Sequence, residues 1–343
     1  MMELATLVRK NIQGLTPYSS ARGEFSGSAE IFLDANENPF GTFNRYPDPY
    51  QQALKKEIAQ LKDLPVENIF IGNGSDEAID LLFRVFCEPG KDKALIFPPT
   101  YGMYRVSAQI NDVSLIEVPL NNQFLISEAS VAPFLKDPLL KLLFVCSPNN
   151  PTGNLIPHKT LLRLLKNFSG IVVVDEAYID FSEGPSALEL LPEFQNLVVL
   201  QTLSKAWGQA GLRIGFAFGA SEIISYLNKV KPPYNVSSAN QQQALKALQN
   251  SAQFEKNRQL ILSEKKRMEK ALEKIPGVQK IFPSETNFLL LQIENAPEIY
   301  RQLIAQKIIV RNRDRQIENT LRITIGCPSE NEKLLQTLQN ITS

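Results

Sequence analysis

The pattern of apolar and polar positions divides the chain into two regions. Between about residues 65 and 220, short apolar runs alternate with amphipathic stretches. The runs NIFI, ALIF, SLIEV, LLFVC, IVVV, LVVLQ and IGFAFG predict strands. The stretches DEAIDLLFRVF and PHKTLLRLLKNF predict helices, the second with Pro157 at the favoured first helical position. This alternation predicts a large domain with a mostly parallel, doubly wound sheet covered by helices on both faces.

After the run KPPYN, residues 231–235, the pattern changes. A long polar-faced helical stretch precedes the apolar run NFLLLQI, a helix near 297–306, the runs IIVRN and LRITIG, and a last helix that opens on a capping-box pattern at 329–332. These elements predict a smaller α+β domain. We therefore expect an α/β protein with three parts: an N-terminal arm (1–44) packing with the small domain, a large domain (45–235) and a small C-terminal domain (236–343).

Composition excludes several classes of function. Lys plus Arg equals Asp plus Glu at 36 each, so no global field favours binding to nucleic acid or an anionic membrane. The single histidine, His158, excludes two-histidine zinc sites, and we expect no metal. The sequence has neither the apolar core of a signal peptide nor an apolar run long enough to span a bilayer. Three widely separated cysteines favour a reducing compartment, so we expect a soluble cytoplasmic protein.

Unusual polar residues follow the predicted strands at the points where they end. LLFVC leads to Asn150, IVVV leads to Asp175 and Tyr178, and LVVLQ leads to Ser204 and Lys205. NIFI leads to GNGSD, which opens a helix. Because ligands of open parallel sheets bind beyond the carboxyl ends of the strands, we expect these side chains to line one site.

Two nucleotide-binding motifs can be tested on the sequence, and both fail. The only Gly-Lys pair, in EPGKDK, is followed by aspartate, so the chain has no GxxxxGK[ST] loop. The only Gly-x-Gly, in GNGSDE, has glutamate where a dinucleotide motif needs its third glycine. What remains is a turn at a helix start, whose free N–H groups suit one phosphate. A simple N-cap by Ser75 or Asp76 is the alternative interpretation.

One ligand would use all of these groups together. Pyridoxal phosphate has an aldehyde that requires a lysine amine and a pyridine nitrogen that requires a carboxylate. Its phosphate is suited by helix N–H groups and by an arginine such as Arg213, eight residues after Lys205. We therefore predict pyridoxal phosphate as the cofactor.

The motifs SPNNPTG, VVDEAY and TLSKAWGQAGLRIG, in this order, resemble the fold type I pyridoxal-phosphate-dependent aminotransferases. The motifs LTPYSSAR, LDANENPFG, RYPDP, GNGSDEAIDLL, PPTYGMYR and LRITIG resemble more closely the histidinol-phosphate aminotransferases of histidine biosynthesis. The resemblance extends from about residue 15 to 328. Trp207 stands where the family usually has Phe, and Gln209 where an aliphatic residue is common, so the departures concern packing.

The resemblance implies a role for each residue that would touch the cofactor ring. Lys205 would bind the cofactor covalently, and Asp175 would pair with the pyridinium nitrogen. Asn150 and Tyr178 would donate hydrogen bonds to the phenolic oxygen. Tyr101 would stack on the ring.

The resemblance also implies the residues that hold the charged groups. Ser75 and Asp76 would offer backbone N–H groups to the cofactor phosphate, joined by Ser204 and Arg213. Tyr46 would reach that phosphate from a second subunit, which makes the protein a homodimer. The substrate's anionic group would be bound by Arg322, assisted by Tyr18 and Asn36.

The reaction that the resemblance implies is amino transfer from L-histidinol phosphate to 2-oxoglutarate, giving imidazole acetol phosphate and L-glutamate. Aromatic-amino-acid aminotransferases and phosphothreonine decarboxylases share most of the motifs and stay open as alternatives. A non-catalytic pyridoxal-phosphate-binding regulatory module is a more remote alternative. It would need a DNA-binding segment with a basic footprint, and we find none in this sequence.

Overall fold

The computed structural model describes residues 4–18 and 31–342, so part of the predicted arm and of the motif LTPYSSAR lies outside the described residues. A seven-stranded sheet forms the larger unit, and each of its strands overlaps one predicted apolar run. The strands are β1 (Ile69–Asn73), β2 (Lys93–Ile96), β3 (Ser114–Glu117), β4 (Leu140–Cys146), β5 (Ile171–Asp175), β6 (Leu197–Thr202) and β7 (Ile214–Gly219).

The strand order is β1-β7-β6-β5-β4-β2-β3. The pairs β2/β3, β2/β4, β4/β5 and β5/β6 are parallel, which confirms the mostly parallel sheet. Only β7 runs antiparallel to its neighbours, β1 and β6. The connection from β6 to β7, residues 203–213, is shorter than the dozen or so residues that a parallel crossover needs. The carboxyl ends of β1, β4, β5 and β6 therefore meet at one edge of the sheet, where β7 begins.

The strands of this sheet are buried on both faces. In β5, Ile171 and Val173 enter one core cluster, whereas Val172 and Val174 enter the other. This is the pattern that helices on both faces produce. Helices of the arm and of this unit are α1 (Lys10–Gln13), α2 (Gln52–Lys62), α3 (Ser75–Phe86), α4 (Met103–Ile110), α5 (Glu128–Val131), α6 (His158–Asn167) and α7 (Ser221–Val230). Short 3-10 turns are at Leu4–Leu7, Val66–Asn68, Ala132–Phe134, Ile179–Phe181, Ala187–Leu190 and Ala210–Leu212.

A four-stranded antiparallel sheet forms the smaller unit. Its strands are β8 (Val278–Phe282), β9 (Phe288–Ile293), β10 (Arg311–Asn312) and β11 (Thr320–Thr324), in the order β10-β11-β9-β8. The remaining helices are α8 (Ser238–Leu248), α9 (Ser251–Leu272), α10 (Ala296–Ala305) and α11 (Pro328–Thr342). Leu321 and Ile323 join the core formed with α9, α10 and α11, which leaves Arg322 on the opposite face of β11. Strand β8 was not predicted, since it is a partly exposed edge strand with polar residues.

The N-terminal arm packs differently from the prediction. We expected it to pack with the small domain, but Leu4, Val8 and Ile12 are buried in a core cluster of the large sheet. The Arg9 N–H donates to the Val85 carbonyl at 2.9 Å, which fixes the arm on α3. The three apolar residues recur every four positions, although Leu4 lies in the first 3-10 turn, Ile12 lies in α1 and Val8 lies between them. Residues 4–14 therefore belong to the outer layer of the large unit.

The division between the two units also lies later than predicted. Helix α8 falls in the predicted small domain, yet Ala244 and Leu248 are buried in a core cluster of the large sheet. The core of the small unit includes Met268 and Leu272, in the second half of α9. The long α9 therefore connects the two cores.

The last helix begins earlier than the predicted capping box. Helix α11 starts at Pro328, and the Glu330 carboxylate accepts a hydrogen bond of 2.8 Å from the Cys327 N–H. Cys327 is thus the residue at the N-cap, with proline at the first helical position. The box is therefore formed by residues 327 and 330, two residues earlier than the pattern at 329–332 indicated.

Two negative findings apply to residues 4–18 and 31–342. None of the helices there has the length and apolar content that crossing a bilayer requires. No group of three or more His, Cys, Asp or Glu side chains there is arranged to hold a metal ion.

Candidate active site

A cavity of about 600 Å³ lies at the edge of the large sheet where the strand ends meet, and the small sheet closes one side of it. Ten of the thirteen predicted site residues line this cavity. They are Ser75, Asp76, Tyr101, Asn150, Asp175, Tyr178, Ser204, Lys205, Arg213 and Arg322. The sheet topology brings them together from segments up to 247 positions apart in the sequence, as the numbers of Ser75 and Arg322 show.

Asp175 ends β5 inside the cavity and is 2% exposed. Its Oδ2 accepts a hydrogen bond of 2.6 Å from the Tyr104 hydroxyl, and its Oδ1 accepts one of 3.1 Å from the Ala177 N–H. Burial raises the pKa of the Asp175 carboxyl, whereas the hydrogen bond from Tyr104 opposes that rise. The carboxylate is therefore held in one orientation within a site that penalises its charge.

Lys205 follows the end of β6 by three residues. Its Nζ lies 5.6 Å from the centroid of the Tyr178 ring. Burial lowers the pKa of the Lys205 amine first, the positive charge of Arg322 lowers it further, and Asp175 acts in the opposite direction. The amine is thus more readily neutral than a lysine in water, as a nucleophile requires.

The turn before α3 is shaped by two glycines. Gly74 is the N-cap residue with φ 82°, and no side chain caps the helix. The first N–H groups of a helix lack partners within the helix, so those of Ser75 and Asp76 are available to a ligand. A Cβ on Gly74 would lie 2.5 Å from Arg213 Nη2, and a Cβ on Gly215 in β7 would lie 2.1 Å from the Ser75 nitrogen. Gly74, rather than Ser75 or Asp76, therefore occupies the N-cap position.

Arg213 reaches this turn from the start of β7. Its backbone is left-handed with φ 55°, and its Nη2 lies 3.6 Å from Asp76 Oδ2. The other oxygen of Asp76 accepts a hydrogen bond of 3.0 Å from the Tyr101 hydroxyl. Ser204 lines the same cavity, and its Oγ accepts a hydrogen bond of 2.9 Å from Thr202 Oγ1. A cation and unpaired helix N–H groups together can bind one phosphate.

Arg322 approaches the cavity from the central strand of the small sheet. Its Nη1 donates a hydrogen bond of 2.5 Å to Asn150 Oδ1, which joins the two sheets across the cavity. Its guanidinium carbon lies 5.0 Å from the centroid of the Phe288 ring, and the Phe288 ring makes an edge contact of 5.2 Å with Tyr178. The buried Arg322 Nε has no hydrogen-bond partner among the described residues. Burial lowers the pKa of this guanidinium.

Three functional candidates were missed by the sequence analysis. Arg311 and Arg313 line the cavity from β10 and the residue after it, beside Arg322. Burial and the charge of Arg322 lower the pKa of Arg313 to about 10, and its buried Nε also has no partner within the described chain. Tyr104 binds Asp175 as described above. The alternating RNR pattern could have indicated two arginines on one face, and TYGMY could have indicated two tyrosines one helical turn apart.

Three predicted residues are not brought into this cavity. Tyr46 and Asn36 line a second cavity of about 510 Å³, and the Tyr46 ring stacks on that of Tyr234 at 4.4 Å. Tyr18 is 70% exposed. Their predicted roles in cofactor and substrate binding stay predictions.

The main cavity is electropositive in a chain with no net charge. Its lining contains five basic side chains, from Lys205, Arg213, Arg311, Arg313 and Arg322, and two acidic ones, from Asp76 and Asp175. The local excess of positive charge favours small anionic ligands.

Comparison with known proteins identifies the family of this chain. The family model described as aminotransferase class I and II matches residues 22–338. The chain belongs to this family. It is therefore an aminotransferase, and its similarity to a protein from Parabacteroides distasonis named histidinol-phosphate aminotransferase is 49% identity over 99% of both chains.

Solved structures show the same architecture. The histidinol-phosphate aminotransferase of Clostridium acetobutylicum superposes with a TM-score of 0.80 at 25% identity, covering 88% of this chain and 91% of that chain. A histidinol-phosphate aminotransferase from Sinorhizobium meliloti, solved in complex with pyridoxal-5'-phosphate, has a TM-score of 0.81 at 21% identity, covering 90% of this chain and 89% of its own. The predicted fold class of this aminotransferase is confirmed.

Proposed function

We propose that the chain transfers the amino group of L-histidinol phosphate to 2-oxoglutarate, giving imidazole acetol phosphate and L-glutamate, with pyridoxal 5'-phosphate as cofactor. The observation that carries this proposal is the single cavity that contains Lys205, Asp175 and the uncapped start of α3, with Arg322 at its opposite side. The relative from Parabacteroides distasonis, 49% identical over 99% of the chain, supports the choice of substrate.

The residues present fit pyridoxal phosphate. Gly74 has no Cβ, and a Cβ there would lie 2.5 Å from Arg213 Nη2, so its absence lets Arg213 and the N–H groups of Ser75 and Asp76 face the same space for a phosphate. Asp175 suits a protonated pyridine nitrogen, because a buried carboxylate is stabilised by an opposite charge. When bound, the cofactor supplies an aldehyde and an electron-withdrawing ring that accepts electron density from the substrate.

The chain's own residues supply positioning and proton transfer. The Lys205 amine, neutral more readily because of burial and Arg322, would hold the aldehyde until the substrate amine replaces it. The released Lys205 Nζ would then accept the proton from the amine-bearing carbon of the substrate. Asn150 and Tyr178 would donate hydrogen bonds to the phenolic oxygen, and the Tyr101 ring would pack on the face of the pyridine. All of these residues line the cavity, where Ser204 and Arg213 would hold the phosphate together with the start of α3.

Substrate binding requires one subsite for two different anions. Histidinol phosphate carries a phosphate, whereas 2-oxoglutarate carries carboxylates. The planar guanidinium of Arg322 can pair with either, and its buried Nε has an unused donor among the described contacts. We propose Arg322 as the main anion-binding residue, and keep Tyr18 and Asn36 as proposed contributors.

A direct assay tests the substrate. The purified protein, loaded with pyridoxal phosphate, is mixed with histidinol phosphate and 2-oxoglutarate, and glutamate is measured with time. Multiple equivalents of glutamate per protein are expected. Glutamate from phenylalanine but not from histidinol phosphate would instead indicate an aromatic-amino-acid aminotransferase. Carbon dioxide released from O-phosphothreonine would indicate a decarboxylase, and cofactor binding without any turnover would indicate a regulatory module.

We also propose that the protein is a homodimer in which Tyr46 reaches the cofactor phosphate of the second subunit. Segment 31–50 exposes several large apolar side chains, including Leu33 at 92%, Phe40 at 82% and Phe43 at 70%. Exposed apolar groups at this density support a protein contact. Sedimentation equilibrium should give twice the monomer mass, and Tyr46→Phe should weaken cofactor binding without changing that mass. A monomeric protein with full activity would contradict the proposal.

The proposed location is the cytoplasm, with small molecules and a second copy of the chain as partners and neither nucleic acid nor membrane. The three thiols, at Cys87, Cys146 and Cys327, are free, which agrees with a reducing compartment. Equal numbers of basic and acidic residues give no general attraction to polyanions.

A further inference from the structure

Tyr104 is a buried tyrosine whose hydroxyl points at Asp175 in the candidate active site. It is 0% exposed, and its ring stacks on Phe144 at 4.9 Å with an interplanar angle of 19°. The edge of the Tyr101 ring meets it at 5.5 Å with an angle of 85°. The rings fix the direction of the Tyr104 hydroxyl, which points at Asp175 Oδ2 at a distance of 2.6 Å. Such a short contact is typical of a hydrogen bond to an ionised oxygen.

Asp175 depends strongly on this hydrogen bond. It is 2% exposed, and besides the Tyr104 hydroxyl only the Ala177 N–H donates to its carboxylate among the described residues. A buried carboxylate with few donors becomes protonated, because burial penalises the charge. Two donors occupy about half of the acceptor positions of a carboxylate, so acceptor capacity remains on the side of the cavity.

We propose that Tyr104 is a positioning residue for Asp175: its hydroxyl holds the carboxylate in one orientation and keeps it ionised, so that Asp175 can pair with the protonated pyridine nitrogen of the cofactor. The inference rests on the proposed cofactor but not on the identity of the amino donor. Tyr104 is not among the residues that line the cavity. Its effect is transmitted entirely through Asp175.

Tyr104 also links the two ends of the cofactor site. Tyr101, which meets the Tyr104 ring, donates its own hydroxyl proton to Asp76 at 3.0 Å beside the proposed phosphate turn. Tyr101 lies two residues before α4 and Tyr104 is the second residue of that helix, and each hydroxyl donates to one carboxylate. Removing only the Tyr104 hydroxyl should leave both rings in place and disturb only the Asp175 end.

The substitution Tyr104→Phe performs that removal, and two ligands separate the two ends of the site. Pyridoxamine 5'-phosphate cannot bind Lys205 covalently and uses both the phosphate turn and Asp175. Inorganic phosphate uses the turn alone. Binding of each to the apoprotein can be followed through the fluorescence of Trp207, the single tryptophan, two residues from Lys205. Tyr226→Phe is the matched control, because Tyr226 packs against the same core cluster and its hydroxyl makes no hydrogen bond to residues 4–18 or 31–342.

For Tyr104→Phe we expect the Kd of pyridoxamine phosphate to rise about ten- to a hundredfold, the usual worth of a hydrogen bond to a charged group. The Kd of inorganic phosphate should stay unchanged. Binding of pyridoxamine phosphate should also fail at a higher pH on the acid side than in the wild type, because Asp175 without its donor takes up a proton more easily. Tyr226→Phe should match the wild type in all three measurements.

Unchanged affinity and an unchanged acid limb in Tyr104→Phe would overturn the inference. An equal loss of affinity for both ligands would also overturn it, since that result indicates a general distortion. A wild type that binds pyridoxamine phosphate in a Tyr104-dependent manner but forms no glutamate would refute the proposed reaction and leave the role of Tyr104 intact. A wild type that binds no pyridoxamine phosphate would refute both.

Discussion

The two sides of the cavity satisfy their polar groups in different ways. On the large-sheet side, Asp175 accepts hydrogen bonds from Tyr104 and Ala177, and Asp76 accepts one from Tyr101. On the small-sheet side, Arg322 and Arg313 each bury an Nε that has no partner within the described chain. The carboxylates of the first side are oriented by hydrogen bonds within the fold, whereas the arginines of the second side retain unused donors.

This difference matches two kinds of ligand. A resident cofactor is bound at every turnover, so the groups that hold it can be fixed by the fold. Two substrates alternate in one subsite, so their binding groups must accept both a phosphate and a carboxylate. Unpaired buried donors are costly in the free protein, and an incoming anion removes that cost. We therefore propose that the large sheet binds the cofactor and that the small sheet binds the substrates.

The largest expected effect comes from Lys205 on the large-sheet side. Lys205→Ala removes both the nucleophilic amine and the group that moves the proton, so turnover should fall by about 10³-fold or more. The measurement is glutamate formation from histidinol phosphate and 2-oxoglutarate. Borohydride reduction followed by mass spectrometry should place pyridoxal phosphate on residue 205 in the wild type and nowhere in the variant.

Lys205→Arg is the matched control, because it retains a positive charge but not a neutral amine. It should be as inactive as the alanine variant. Multiple turnovers at the wild-type rate in either variant would show that the reaction does not depend on the Lys205 amine.

The next effect tests the small-sheet side. Arg322→Gln removes a charged donor for both substrates, so kcat/KM should fall about 100-fold for histidinol phosphate and for 2-oxoglutarate alike. Arg301→Gln is the control: Arg301 is an exposed arginine on α10 that pairs with Glu298 at 2.5 Å. A loss for one substrate only would contradict a shared subsite.

Arg322→Gln should also change the pKa of the Lys205 amine, in a direction that can be predicted. The charge of Arg322 lowers the pKa of the Lys205 amine, so its removal raises that pKa. A larger fraction of Lys205 is then protonated at a given pH. The acid limb of cofactor attachment in the apoprotein should therefore move to higher pH, and a shift to lower pH would show that the two groups are not coupled.

The fold and most of the site could be predicted from the sequence for a physical reason. Parallel strands place their carboxyl ends at one edge, so Asn150, Asp175 and Lys205 had to converge once the seven strands were identified. The predictions that differ from the structure, for the packing of the arm and for the division between the two units, depended on tertiary packing. The apolar face at Leu4, Val8 and Ile12 is visible in the sequence, but the surface that it covers is not.

Arg311, Arg313 and Tyr104 show a further limit of prediction from the sequence. The RNR alternation indicates that Arg311 and Arg313 share one face, but it does not show which surface that face meets. The pairing of β10 with β11 places this face at the cavity beside Arg322. Tyr104 occupies a buried position that sequence reasoning assigns to packing. Its hydroxyl acquires a role only because β5 places Asp175 beside it.

A third prediction concerns the neighbour of Asp175 in the sequence. Glu176 points away from the cavity and accepts hydrogen bonds from Ser186, the Ala187 N–H and Gln201. Burial raises the pKa of this carboxyl to about 7 from 4.5. A raised pKa means that the folded protein binds the proton more tightly than the unfolded chain. The resulting stabilisation is complete below about pH 4.5 and is lost as the pH rises through about 7.

Glu176→Gln removes that titration. The free energy of unfolding of the wild-type apoprotein, relative to the variant, should fall by about 2 kcal/mol between about pH 5 and about pH 7.5. Urea unfolding at several pH values measures this difference. Affinity for pyridoxamine phosphate should be unchanged in Glu176→Gln and lost in Asp175→Asn. A loss in both would contradict the distinction between a carboxylate that faces the site and one that faces the core.

The smallest expected effect tests how closely the large-sheet side is fitted to a phosphate. Gly74→Ala adds a Cβ that would lie 2.5 Å from Arg213 Nη2, at a φ of 82° that L-residues rarely adopt. The guanidinium can move aside, so the protein should fold with a loss of about 1 kcal/mol, but Arg213 would no longer face the start of α3. The Kd of inorganic phosphate and that of pyridoxamine phosphate should both rise about tenfold. Gly211→Ala, where a Cβ meets nothing within 4 Å, is the control and should bind both ligands normally. If Gly74→Ala bound both ligands as tightly as the wild type, the turn before α3 would not be the phosphate site. The proposal that the large sheet binds the cofactor would then lack a site for the phosphate.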